Sequence, residues 1–204
     1  MEGKEVMKTR LWKTILAILL LPVCANATTM DFYNDGTITD GNVFDTVNVW
    51  NDANVVMTGG TVYSVFSRDS SIFNLQSGDI TGWITVRDAS NLKISGGSVG
   101  DLELYNSAVA IISGGNITGT LATGAPISGT VHIYGENFEL SFDGGWLIEG
   151  NWADETPFAI HYRSDSSTPM PGSPDSNIFL HTIPEPATLS LLLIGILGIR
   201  KFRG

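Results

Sequence analysis

Apolar and polar residues alternate with period two through much of the central chain, and the alternation restarts at a fixed interval. Four segments align: NDANVVMTGGTV (51–62), RDSSIFNLQSGDI (68–80), RDASNLKISGGSV (87–99) and YNSAVAIISGGNI (105–117). Their marker glycines, Gly60, Gly78, Gly97 and Gly115, are spaced by 18, 19 and 18 residues, and Gly41 stands 19 before Gly60. Ahead of each glycine come alternating pairs: Val55 and Met57, Phe73 and Leu75, Leu92 and Ile94, Ala110 and Ile112. A second pair lies earlier in each copy: Val47 and Val49, Val65 and Ser67, Ile84 and Val86, Leu102 and Leu104.

Period two means strands with one face buried. One such unit cannot bury that face alone, whereas stacked copies with like positions aligned form a continuous core. The glycines suit sharp bends, because a residue without Cβ accepts positive φ. The prediction is an all-β chain: a single-stack parallel β-solenoid of about five coils, each rising about 4.8 Å, roughly 25 Å in all. Parallel crossovers favour a right-handed helix. A left-handed helix is the alternative, since Val49, Ala53, Val55 and Gly59 resemble the spacing of hexapeptide acyltransferases, although no histidine lies in the four clear coils. Residues 128–142 read as a sixth, looser coil, and residues 144–163 as a β-hairpin capping the stack around a turn at Ala153–Pro157.

The alignment places Asn51, Asp69, Asp88 and Asn106 at one recurring bend. An amide or carboxylate there can satisfy turn backbone and its counterpart in the next coil. This resembles the asparagine ladders of parallel β-helix proteins. A calcium column is the alternative, but calcium needs six to eight oxygens at one centre, and the glycine-rich nonapeptide spacing is absent. One position earlier stand Trp50, Arg68, Arg87 and Tyr105, predicted to point outward as a stripe. Such a stripe is either a glycan-binding face or cation–π packing that shields the sheet.

Charge narrows the partners. The whole chain carries −10, but between Thr28 and Ile183 only Arg68, Arg87, Lys93 and Arg163 face 18 acidic residues, leaving about −14. That surface repels phosphate backbones and argues against nucleic acid. Catalysis has little support. The histidines are His132, His161 and His181, no nucleophile elbow or HExxH motif occurs, and Asp154 and Glu155 are neighbours that an extended strand would face apart. A small polysaccharide-active enzyme stays the minor alternative, by comparison with the longer β-helices of pectate lyases. No cofactor or metal is expected.

The two ends carry signals of another kind. Residues 1–27 read as an export signal: basic Lys8, Arg10 and Lys13, an apolar core, then Ala25-Asn26-Ala27 as a small-x-small cleavage site. MKTR from Met7 is a more natural start than Met1. Cys24 could suggest a lipoprotein, but Leu21-Pro22-Val23 does not place small residues before it, and cleavage after Ala27 leaves no cysteine. Residues 164–183 form a Ser/Pro-rich spacer. Residues 184–204 begin with Pro184-Glu185-Pro186, continue as an apolar stretch from Leu189 to Ile199, and end on Arg200, Lys201 and Arg203. The prolines hold Glu185 in an extended segment, the apolar stretch suits a short transmembrane helix, and the basic cluster would stay cytoplasmic.

This order of motif, apolar stop and basic end resembles the PEP-CTERM sorting domain of Gram-negative bacteria. The resemblance covers about the last 22 residues. It implies transient anchoring in the inner membrane, recognition by an exosortase-type membrane protease, cleavage near the motif, and delivery to the outer surface or extracellular matrix. Members are often associated with exopolysaccharide and biofilm. An exported structural or adhesive solenoid is therefore expected, with a polysaccharide-binding module as the alternative.

Overall fold

The computed structural model describes residues 28–122, 129–142, 145–163, 170–172 and 177–183. Twelve strands join one sheet. They are β1 (Thr29–Phe32), β2 (Gly36–Ile38), β3 (Val43–Val49), β4 (Asn54–Ser67), β5 (Ile72–Val86), β6 (Asn91–Leu104), β7 (Val109–Ile117), β8 (Thr120–Ala122), β9 (Thr130–Phe142), β10 (Trp146–Asn151), β11 (Pro157–Arg163) and β12 (Ile178–Thr182). The first nine pair in parallel, coil upon coil, giving an all-β solenoid of about five turns.

The register follows the repeat. Val47, Val65, Ile84, Leu102 and Leu121 lie one above the next, as do Val55, Phe73, Leu92, Ala110 and Val131. Met57, Leu75, Ile94, Ile112 and Ile133 make a third column. All are sealed from solvent. Each such side chain removed from water contributes about 1.5–3 kcal/mol, so the stacked columns supply the main cohesion. Ser67, the polar member of its column, is also buried; its hydroxyl meets that of Ser71 at 2.7 Å, so the group is not left unpaired.

Strands β4, β5 and β6 each run through a marker glycine, bending there rather than ending, and the ladder is irregular at the bend. The coil from Gly78 to Gly97 is one residue longer than its neighbours, and the extra residue is absorbed at Thr81–Gly82. Val62 pairs with Ile80 and Ser64 with Trp83, so two residues oppose Tyr63 alone. This is a β-bulge, which bends the strand and redirects side chains.

Two expectations change toward the C-terminus. The coil expected over 128–142 is only half made: Thr130–Ile133 continue the parallel ladder on β7, whereas Glu136–Phe142 pair antiparallel with β10. The spacer expected over 164–183 contains β12, which pairs in parallel with β9 from Ile178↔Val131 to Thr182↔Gly135. Strands β10 and β11 form an antiparallel hairpin whose turn is closed by the Trp152 N–H to Thr156 O bond at 2.9 Å. Its Ile148, Phe158, Ile160 and Tyr162 join the core. Ala25, Ala27, Pro184, Glu185, Pro186, the apolar stretch 189–199, and Arg200, Lys201 and Arg203 lie outside the described residues. Among the described residues no helix is long and apolar enough to cross a membrane.

Candidate functional site

The bend at 50–53, 68–71, 87–90 and 105–108 repeats one geometry. An N–H to O bond closes each, from Ala53 to Trp50, Ser71 to Arg68, Ser90 to Arg87 and Ala108 to Tyr105, at 3.1–3.2 Å. The second residue is always left-handed: Asn51, Asp69, Asp88 and Asn106 have φ of 59°, 61°, 60° and 58°. Asn and Asp are the residues with a β-carbon that tolerate this region best. Their side chains then tie adjacent coils together. The Asn51 N–H donates to Asp69 Oδ2 at 2.9 Å, the Asp69 N–H to Asp88 Oδ2 at 3.3 Å, and Asn106 Nδ2 to Asp88 Oδ1 at 3.0 Å. Asp88 thus joins three coils. Among the described residues no three His, Cys, Asp or Glu side chains converge as a metal site would need.

Beside this ladder the stripe is turned upon itself. The Arg68 guanidinium lies 4.8 Å from the Trp50 ring centre, and that of Arg87 lies 4.6 Å from Tyr105. Tyr33, in the first coil, stacks on Trp50 at 6.3 Å and 10°. The two adjacent arginines therefore lean apart, each onto an aromatic ring. That arrangement relieves like-charge repulsion and leaves Trp50 between Tyr33 and Arg68. Burial and the hydrogen bond to Glu103 push the Tyr105 hydroxyl up, with Arg87 opposing. The column packs from coil to coil through Tyr33, Trp50 and Arg68 and through Arg87 and Tyr105.

Asp154 and Glu155 sit in the β10–β11 turn. Asp154 Oδ1 accepts the Thr156 N–H at 3.1 Å and the Thr156 hydroxyl, and these bonds hold its carboxyl below the ordinary range. The carboxylate is occupied in shaping its turn.

Two clusters were not legible as sites in the sequence. At the β9–β12 edge, His132 Nδ1 and His181 Nε2 are 2.9 Å apart. Phe179 stacks on His132 at 5.2 Å and Tyr134 on His181 at 4.5 Å. Burial, then the neighbouring His181, lower the His132 pKa. At the bulge, Tyr63 meets Trp83 edge to face at 5.0 Å, with Tyr63 48% exposed. Beyond the bulge the same outward position runs through Asp101, Thr120 and His161. The row ends at a cavity of about 400 Å³ lined by Thr120, Ser141, Trp146, His161 and Arg163. There Phe142, 60% exposed, meets Trp146 edge to face at 5.1 Å.

Comparison of the chain with protein-family models, with curated proteins and with solved structures returned no match.

Proposed function

We propose that the chain is an exported β-solenoid of the cell surface or extracellular matrix, with a structural or adhesive role in exopolysaccharide or biofilm. The observation that carries this reading is the stack of parallel coils with aligned core columns, four of them tied coil to coil by the Asn51–Asp69–Asp88–Asn106 ladder. An acidic, tightly cross-linked stack suits a scaffold that must stay dispersed outside the cell. In this reading the β10–β11 hairpin, whose Phe158, Ile160 and Tyr162 belong to the buried core, caps the stack.

In this reading the ends direct traffic. Residues 1–27 take the chain across the inner membrane. Pro184, Glu185 and Pro186 present a PEP-CTERM-like motif to an exosortase-type protease, while the apolar stretch and Arg200, Lys201 and Arg203 hold the chain until it is cut. Cell fractionation of a Glu185→Ala variant tests the sorting step. Unprocessed protein should accumulate in the inner membrane; release equal to the unchanged chain would rule the route out.

A further inference from the structure

We infer that the row from Trp83 to the Trp146 cavity binds an uncharged glycan lying along the solenoid axis. This goes beyond the scaffold reading and uses a different surface from the Trp50–Tyr105 stripe.

Four observations converge on this row. First, it begins and ends on an aromatic pair of the same form, Tyr63–Trp83 and Phe142–Trp146, each with one exposed ring. Aromatic rings combine apolar area with a fixed shape, which suits the C–H faces of sugar rings. Secondly, the side chains between them are a carboxylate, a hydroxyl and an imidazole, from Asp101, Thr120 and His161. Strand register sets them one coil apart. Three coil steps from Trp83 to His161 span about 14 Å. A sugar ring unit is close to one such step in length, so roughly three units would meet successive polar groups.

Thirdly, three glycines stand beside the row. Gly82, Gly100 and Gly119 follow one another, and a Cβ on Gly100 would lie 1.9 Å from Gly82 O. The coils abut backbone to backbone here, and Tyr63 and Asp101 lie against Gly82 and Gly119, so the side chains of the row stand on a close-packed base. Fourthly, Asp101 is fixed in place: its Oδ1 accepts the Thr120 N–H at 2.7 Å. A preset acceptor costs little ordering on binding.

Charge selects the ligand class. Asp101 stands in the row and Arg163 lines its cavity, within a region of about −14 overall. A polyanion would be repelled by that field, whereas an uncharged glycan is indifferent to it. Aromatic platforms flanking a run of hydrogen-bonding groups favour a sugar polymer over an apolar ligand.

The full chain should be titrated with neutral oligosaccharides of one to six units built from glucose, mannose or N-acetylglucosamine. At least one series should bind, with affinity rising up to about three units, as the row length requires. Trp83→Ala and Trp146→Ala should each weaken binding at least tenfold, while Tyr105→Phe leaves it unchanged. In the unaltered chain, bound glycan should protect Trp83 and Trp146 from N-bromosuccinimide oxidation, a readout that needs no variant to fold. Three results would overturn the inference: binding by no member of the panel, binding without protection of either tryptophan, or binding of oligolysine alone. Failure here with normal processing at both ends would leave the scaffold reading standing.

Discussion

Each coil turns twice through left-handed backbone, yet the two bends use different residues. At the inner corner Gly60, Gly78, Gly97 and Gly115 have φ of 85°, 100°, 77° and 84°. At the outer turn Asn51, Asp69, Asp88 and Asn106 have φ near 60°. The glycine bends lie further into positive φ than the Asx turns, so conformation already favours glycine there. Space separates the two bends further. A Cβ on Gly97 would lie 2.6 Å from Gly78 O in the coil below, and one on Gly115 2.9 Å from Gly96 O. The outer turn is exposed, so a side chain fits there and can reach the neighbouring coil. Positive φ thus falls to glycine where backbones abut and to Asx where a side chain can serve as a tie.

Exchanging the residues breaks this comparison most sharply. Gly97→Asp should destabilise the stack by about 3 kcal/mol or more, because a β-carbon meets immovable backbone as well as an unfavourable φ. Asp88→Gly should cost only about 1 kcal/mol, since the lost hydrogen bonds are partly offset by relief at φ 60°. Denaturant unfolding of the two variants checks the order. Equal losses would show that conformation, not space, chose the residues.

Acidification gives a smaller effect confined to the last strand, and so separates the end of the stack from its bends. His132 is held below its ordinary pKa by burial and by His181. The folded state therefore binds a proton less readily than the unfolded one. The stabilising contribution is fully present above about pH 6.5 and is lost as pH falls from there through the lowered folded value. Tyr134 and Phe179 stack on the pair. Hydrogen exchange should show β12 opening between about pH 7 and 5 while the Val49–Leu104 coils stay protected. His132→Gln should flatten that dependence.

Much of the coil was legible because its signals are local and repeated. Val55, Met57, Val65 and their counterparts face inward at the expected places, and the marker glycines bend as their type suggests. The Tyr63–Trp83 corner was hidden because alternation fails there. Val62 and Val65 both point inward although three residues apart, so the period-two rule cannot place the residues between them. Strand β12 was hidden for a different reason. Five residues, Ile178 to Thr182, pair with a strand more than forty positions earlier, and nothing in a short window announces so distant a partner. The Trp50–Tyr105 stripe was legible as an outward column, but which ring face each arginine covers depends on rotamers that spacing does not encode.

An exported solenoid freed of both signals has a defined mass. Intact-mass and terminal-peptide spectrometry of the protein recovered from the outside of cells measures it directly. The proposed route predicts an N-terminus at Thr28 and a C-terminus close to Pro184-Glu185-Pro186, without the apolar stretch or Arg200, Lys201 and Arg203. A chain that keeps residues 1–27 and its C-terminal tail, or one found only inside the cell, would contradict it.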